Sequence, residues 1–240
     1  TFNLENFLDN TENIFIKKLN PVYKAIEITR KNLEKKKSLI AFIGAPWTLL
    51  IYMLQIKESK LNINYNKIKD SNLDIDLVLN DLINYLCLHI DNQINAGADV
   101  VQIFDSWAGL IPLKDLERLC IIPNLKIVEF CKKKKIPCIC FPKGIGKNYE
   151  KFNKIVKSDG LNIDYEINPS WAKEKLKNTV IQGGLNPKFL LSSESKMLEE
   201  ATRYIEAFTN VPYIFNLGHG LLPETDPDRV QKLIEFYRRY

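Results

Sequence analysis

The chain contains two histidines in 240 residues, and one of them, His219, lies between two glycines. Glycine has no Cβ, so Gly218 and Gly220 let the backbone take positive φ angles and approach a ligand closely. Residues 211–215 before this loop are typical of a short buried strand, and Asp226-Pro227 marks the start of the last helix. A histidine at the C-terminal end of a strand is well placed to contact a substrate. The segment alone fits a turn histidine that caps a carbonyl equally well.

Polar and glycine residues follow other apolar runs in the same way. The segment Gly44–Thr48 comes directly after one such run, and Asp105–Gly109 follows another. Barrels of parallel strands build their active sites from the loops that follow the strands, so this repeated pattern predicts a site at that face. Asp105 and Asp164 end strands, and we expect them to brace loops rather than to take part in catalysis.

Apolar runs alternate with helical segments along the chain, which predicts a parallel α/β sheet. The predicted strands are residues 39–43, 99–104, 137–141, 161–163, 179–182 and 213–215. A (β/α)8 TIM barrel matches this pattern but needs eight strands, so the sequence supplies about six of the eight βα units. An open doubly wound sheet is the competing architecture. The absence of a Gly-x-Gly-x-x-Gly turn after the first strand weakens its dinucleotide-binding form.

Helices are predicted before and between the strands. Residues 1–36 predict two helices, the first capped by Asp9-Asn10-Thr11 and the second by Asn20-Pro21. A charged loop is expected over residues 57–72, and a long amphipathic helix over residues 75–95. These helices must cover the strands and hold the loops that carry the candidate residues.

The composition limits the classes of protein to which the chain can belong. The net charge is +5, from 34 basic and 29 acidic residues, which is unlike a nucleic-acid-binding protein and modestly favours an anionic ligand. No apolar run reaches the roughly 18 residues that a membrane span needs, so no membrane partner is expected. The five cysteines are scattered among apolar neighbours, which indicates reduced thiols in the cytosol or an organelle matrix.

Three of the segments that follow strands together resemble uroporphyrinogen decarboxylase. They are Phe42–Leu49, Val101–Gly109 and Ile214–Thr225. Two further blocks, Gln182–Pro187 and Phe141–Gly144, agree with that family in order and spacing. The resemblance covers essentially the whole chain, and five ordered blocks make it specific.

The resemblance implies a fold and an assembly. Members of this family are single-domain (β/α)8 barrels that form homodimers, so residues 1–240 are expected to belong to one such domain. The family's first two βα units lie upstream of the matched segment and carry an arginine-rich Met-Arg-Gln-Ala-Gly-Arg motif and an aspartate. Neither is found in this sequence, so the chain resembles the C-terminal two-thirds of the enzyme.

The resemblance also implies a reaction. It removes the four acetate carboxylates of uroporphyrinogen III as CO2 and gives coproporphyrinogen III, in porphyrin and haem biosynthesis. No cofactor or metal is implied, because protonation of a pyrrole carbon creates an electron sink within the substrate. The enzyme supplies a proton donor, a fixed anion near the pyrrole N–H groups, and a dry pocket with anchors for carboxylates. Family members work in the cytoplasm or in plastids, so the cytoplasm or the plastid stroma is the expected compartment.

Position by position, the resemblance implies roles for five residues. Tyr52 would be catalytic, with its hydroxyl hydrogen-bonded to the reacting group or to the pyrrole-binding aspartate, and a core tyrosine is the alternative. Ser106 would donate to a substrate carboxylate, with an ordinary helix cap as the alternative, and His219 would contact a substrate carboxylate. Phe42 and Phe104 would either pack on the macrocycle or lie in the barrel core.

Two alternatives to this function stay open. A sister group of barrels transfers methyl groups to corrinoid or thiol acceptors and binds zinc through a His-x-Cys pair and a later cysteine. Cys138 and Cys140 lie on the corresponding strand with both thiols on one face, yet the histidine is absent, so we expect buried thiols and no metal. The second alternative is a truncated, non-catalytic fragment, because the arginine motif and the aspartate are not in this sequence.

Overall fold

The computed structural model describes residues 12–59, 62–70 and 73–240. The chain divides into two compact units. Unit 1 consists of Thr1–Ile145 with Ile155–Ser158, and unit 2 consists of Gly146–Lys154 with Asp159–Tyr240. The expected helix cap at Asp9-Asn10-Thr11 lies outside the described residues. The expectation of one domain over residues 1–240 stays a prediction.

The described part of unit 1 contains three parallel strands, β1 (Ile40–Gly44), β2 (Val100–Asp105) and β3 (Cys138–Pro142). β2 lies between the other two, with Ile103 opposite Ile43 on one side and Cys140 on the other. Each strand begins and ends one residue later than the sequence predicts. Pairing with the neighbouring strand sets these limits, and it carries each strand one residue past the apolar run.

Unit 1 also contains five described α-helices. They are α1 (Glu12–Asn32), α2 (Pro46–Met53), α3 (Tyr65–Asp70), α4 (Ile75–Asn95) and α5 (Ile122–Lys133). The predicted limits of α4 are confirmed, and the Asp74 side chain caps its first turn by accepting from the backbone N–H groups of Asp76 and Leu77. α3 occupies a segment that the sequence predicts as a loop.

The first helix differs from its prediction. α1 continues through Pro21, where two helices were expected. Packing on α4 holds both halves: Phe15 lies with its ring centroid 4.9 Å from that of Tyr85, and the Tyr23 hydroxyl lies 3.0 Å from His89 Nδ1. Proline lacks one backbone N–H and disfavours a helix interior, so these contacts with a distant helix override the local signal.

Three short helical segments connect β2 to α5. Two short 3-10 helices, Ala108–Leu110 and Leu113–Asp115, precede a π-helical turn at Glu117–Ile121, which leads directly into α5. The sequence predicts a helix over residues 113–133 with a break near Pro123 as the alternative, and the structure changes helix type between Ile121 and Ile122. π turns are rare and recur at functional positions.

The described part of unit 2 also contains three parallel strands, β4 (Gly160–Ile163), β5 (Val180–Gly183) and β6 (Tyr213–Ile214). β5 lies in the middle, with Ile181 opposite both Leu161 and Tyr213. The helical elements are Gly146–Asn148 and Pro187–Leu191, both 3-10, and α6 (Tyr149–Val156), α7 (Pro169–Lys175), α8 (Glu194–Ala207) and α9 (Pro227–Arg239).

The start of the last helix is as predicted. The Asp226 side chain accepts a hydrogen bond from the Asp228 backbone N–H at 2.9 Å, and Pro227 is the first residue of α9. None of the helices that the structure describes has the length and apolar character to cross a membrane.

Candidate active site

Tyr52 is placed by the short helix α2. Trp47, Leu50 and Ile51 are fully buried, at the i, i+3, i+4 spacing of one helix face. Tyr52 comes next in sequence and therefore points off this face, and it is 53% exposed. Its side chain does not lie in the core, so the core-tyrosine alternative is wrong.

The loop after β2 is fixed against α2 through the backbone of Trp107. The Trp47 indole N–H donates to the Trp107 carbonyl at 3.2 Å, and the Trp107 backbone N–H donates to the Thr48 hydroxyl at 3.4 Å. The Trp107 ring meets the Tyr52 ring edge to face, with 6.3 Å between centroids. The structure therefore brings Tyr52 and the residue next to Ser106 together at the carboxyl ends of β1 and β2.

Ser106 lies in the turn between β2 and the following 3-10 helix, and it is half-buried. The N-cap position of that helix is Trp107, and no side chain caps it. Ser106 therefore does not act as the ordinary helix cap that was the alternative role for its hydroxyl.

Asp105 braces this loop, as the sequence indicates. Its carboxylate is fully buried and accepts hydrogen bonds from the Thr48 hydroxyl at 2.8 Å and from the Asn124 side-chain amide at 3.2 Å. Burial raises the pKa of Asp105 to about 6, although the bonds from Thr48, Cys120 and Asn124 oppose the shift. The aspartate thus links β2, α2 and α5 beneath the loop that carries Ser106.

The raised pKa of Asp105 predicts a pH-dependent stability. The folded state holds this proton more tightly than the unfolded chain, so the stabilisation is complete below pH about 4 and is lost as the pH rises through about 6. Asp105→Asn removes this titration while keeping an acceptor for Thr48. Urea unfolding at pH 4.5 and 7.5 should show the variant gaining about 2 kcal/mol relative to wild type over this range.

The matched control for this prediction is Asp76→Asn, at an exposed carboxylate that pairs with Arg118. It should leave the difference between the two pH values unchanged. The amide that Asp105→Asn introduces can be accommodated, because the buried Oδ1 of Asn124 has no hydrogen-bond partner among the described residues. Parallel pH profiles for wild type and Asp105→Asn would contradict the assigned titration.

Three phenylalanines form an edge-to-face series across the strands of unit 1. The Phe104 ring centroid lies 5.9 Å from that of Phe42 and 6.2 Å from that of Phe141. Phe42 is 67% exposed, Phe104 is half-buried and Phe141 is buried. Phe42 and Phe104 therefore present aromatic surface in this chain. Sequence reasoning did not single out Phe141, although it lies opposite Phe104 in the strand register.

The His219 loop belongs to unit 2. Its backbone is fixed by the Gly218 N–H, which donates to the Leu185 carbonyl at 2.8 Å. A Cβ on Gly218 would lie 2.4 Å from the Tyr165 backbone nitrogen, so this position has room only for glycine. His219 itself is exposed.

Neither Gly218 nor Gly220 uses the positive φ angles that glycine permits. Positive φ angles occur at Gly183 (+81°) and Gly184 (+98°), in the loop after β5. A Cβ on Gly184 would lie 2.5 Å from the Tyr204 ring. The loop that holds Leu185 therefore contains left-handed backbone, and the Leu185 carbonyl in turn holds the histidine loop.

Asp164 braces the loop after β4, as expected. It is buried and accepts hydrogen bonds from the Tyr149 hydroxyl at 3.1 Å and from the Glu166 backbone N–H at 3.0 Å. The carboxylate is used within the fold, which fits a structural role.

The cysteines of β3 are buried and reduced. Cys138 and Cys140 are both inaccessible to solvent. Hydrogen bonding to Cys131 raises the pKa of Cys138, and burial raises the pKa of Cys120, so both residues favour the thiol form. In the described ranges no group of three His, Cys, Asp or Glu side chains is arranged to hold a metal ion.

Comparison with known families decides the relationship of this chain. The family model of uroporphyrinogen decarboxylase matches residues 3–240. The chain belongs to the uroporphyrinogen decarboxylase family. The segments that carry the resemblance in the sequence are thus parts of a match over almost the entire chain.

Curated relatives agree with this assignment. Uroporphyrinogen decarboxylase of Orientia tsutsugamushi (strain Boryong) is 42% identical over 229 residues, and that of Rickettsia bellii is 38% identical over 230 residues. That of Cereibacter sphaeroides (strain ATCC 17025) is 36% identical over 226 residues. The matches cover 92–93% of this chain and 66% of each relative, so the chain spans slightly less than two thirds of their length.

A solved structure supports the fold class. A methyltransferase from Methanosarcina mazei aligns with a TM-score of 0.73 at 17% identity, over 92% of this chain and 64% of that one. At this identity the likeness shows the fold alone. With the family match, it confirms the predicted α/β class, a (β/α)8 barrel fold of which the described residues contain six strands.

Proposed function

We propose that this chain is the substrate-binding part of a uroporphyrinogen decarboxylase, which converts uroporphyrinogen III to coproporphyrinogen III and CO2 in porphyrin and haem biosynthesis. Family membership over residues 3–240 carries the proposal. The exposed Tyr52, held beside the loop of Ser106, supports it, because a hydroxyl that donates to the substrate must reach the solvent side of the fold.

The proposed roles follow from what each side chain can do. The Tyr52 hydroxyl donates a hydrogen bond to the reacting group, where charge changes as CO2 leaves. The Ser106 hydroxyl donates to a substrate carboxylate, and the imidazole of His219 contacts a substrate carboxylate. Phe42 and Phe104 pack on the apolar faces of the pyrrole rings.

We propose that the reaction uses no cofactor and no metal. The electron sink is the protonated pyrrole of the substrate itself, so the protein has to position groups and exclude water. Methyl transfer by a zinc site is the competing function. Cys138 stands where that group has the histidine of its His-x-Cys pair, and both thiols of β3 are buried, which supports decarboxylation instead.

The isolated 240 residues are proposed to have no measurable turnover. The arginine motif and the aspartate that the resemblance assigns to proton transfer and pyrrole binding are not among them. The experiment compares this polypeptide with the product of the complete natural reading frame, each incubated anaerobically with uroporphyrinogen III and analysed for metal content.

The complete gene product should turn over without zinc, and the 240-residue polypeptide should not turn over. Robust conversion by the isolated 240 residues would contradict the proposal that turnover needs the arginine motif and the aspartate. Stoichiometric zinc would support the methyltransferase function instead.

By the same resemblance we propose a homodimer in the cytoplasm or plastid stroma, without nucleic-acid or membrane partners. Light scattering of the complete gene product tests the dimer.

A further inference from the structure

Lys57 is held in a defined place by the pairing of two short backbone segments, residues 56–59 and 62–64. The Asn64 backbone N–H donates to the Ile56 carbonyl at 2.8 Å, and Lys57 pairs with Ile63 as an isolated antiparallel bridge. Ile56 and Ile63 are 1% and 4% exposed, so both segments are anchored in the core of unit 1. The backbone that carries Lys57 is therefore fixed.

The ammonium group of Lys57 lies over an aromatic ring and has no carboxylate partner among the described residues. Its Nζ is 4.7 Å from the centroid of the Trp107 ring. The adjacent carboxylate of Glu58 is used by two amides, from Asn62 at 2.7 Å and Asn64 at 2.8 Å. A cation on a ring face is attracted by the ring, yet it keeps its capacity to bind an anion.

The same ring carries a second donor without a partner. The indole Nε1–H of Trp107 is buried and has no acceptor among the described residues. A buried donor without a partner is unfavourable, so its presence in a loop that two hydrogen bonds of the Trp107 backbone hold in place points to a ligand that it binds. The Lys57 ammonium lies over the face of the ring and the indole N–H lies in its plane, so two donors occur at one side chain.

We propose that Lys57 and the indole N–H of Trp107 together bind one carboxylate of the anionic substrate, next to Tyr52. This inference rests on the proposed function, which supplies a polycarboxylate substrate. The edge-to-face contact of Tyr52 with Trp107 places this carboxylate subsite beside the proposed catalytic hydroxyl. One carboxylate held by a charge-assisted bond and an indole N–H orients the macrocycle before the chemical step.

The test uses the complete natural gene product and steady-state kinetics with uroporphyrinogen III. Lys57→Gln should raise KM about tenfold while kcat changes less than about twofold, because a binding contact is lost and the reacting groups remain. The KM of Lys57→Gln should also depend less on salt than the wild-type KM. Lys57→Arg keeps the charge and should restore a KM within about threefold of wild type.

Trp107→Phe removes the indole N–H and keeps an aromatic ring under Lys57, so it should raise KM in the same direction. Lys67→Gln is the matched control, at an exposed lysine on α3, and should leave KM, kcat and salt dependence unchanged. Circular dichroism confirms that each variant is folded. The Trp107 variant provides an independent measurement if Lys57→Gln does not fold.

The outcomes separate the two proposals. A wild-type protein without turnover overturns the proposed function, and the role of Lys57 falls with it. An active wild-type protein with an unchanged KM in Lys57→Gln and Trp107→Phe overturns the carboxylate subsite alone and leaves the decarboxylase function standing.

Discussion

Replacing Tyr52 by phenylalanine should lower the kcat of the complete gene product by about a hundredfold and leave the fold intact. The variant removes one hydroxyl from a side chain that is 53% exposed. A single donor aimed at developing charge in a transition state contributes roughly 10²–10³-fold in rate. The ring contact with Trp107 remains, so KM should change little.

The matched control for Tyr52 is Tyr237→Phe. Tyr237 is 39% exposed on α9, and its ring stacks on Phe215 in unit 2. Its hydroxyl has no proposed contact with the substrate, so kcat should stay at the wild-type value. Single-turnover measurements on both variants separate the chemical step from product release. A wild-type kcat in Tyr52→Phe would show that the Tyr52 hydroxyl has no catalytic role.

His219→Asn should lower kcat/KM by about 10–100-fold. Asparagine is smaller than imidazole and cannot carry a positive charge, so a contact with a substrate carboxylate is weakened or lost. The loop backbone should survive, because the Gly218 N–H still donates to the Leu185 carbonyl and the exposed side chain has no place in the core. Initial rates over a range of uroporphyrinogen concentrations give the comparison.

The other histidine of the chain provides the control. His89 is half-buried beside Tyr23, and burial lowers its pKa, so the ring stays neutral in the packing of α1 on α4. His89→Asn should reduce the free energy of unfolding and leave kcat/KM at the wild-type value. Equal kcat/KM values for His219→Asn and wild type would show that His219 is a turn residue without a role in substrate binding.

The sheet was predictable because its signals are local. The strands are apolar runs bounded by glycine, proline or aspartate, and the observed limits of β1, β2 and β3 differ from prediction by one residue. The error in the first helix has the opposite cause. α1 continues through Pro21 because residues on α4 pack against it, and such tertiary contacts leave no trace near the proline.

The candidate site was predictable in part. Tyr52, Ser106 and His219 follow strands in segments that resemble the family, so the sequence identified them. The structure adds that Tyr52 is exposed beside Trp107. The contact of Lys57 with Trp107 joins two residues that are distant in sequence, and neither residue type signals it locally.

The glycines of the histidine loop show the limit of reading conformation from residue type. Glycine permits a positive φ angle but does not require one. At Gly218 the reason for glycine is space, since a side chain would meet the Tyr165 backbone, and this contact depends on the fold of unit 2.

The central claim is tested most directly by the product that the complete natural gene product makes from uroporphyrinogen III in the presence of a metal chelator. The carboxylates left on the macrocycle are counted by chromatography after oxidation to the porphyrin, and the released CO2 is measured in the same reaction. We expect a four-carboxylate product and four CO2 per macrocycle. Unchanged substrate, or turnover that stops when zinc is removed, would contradict it.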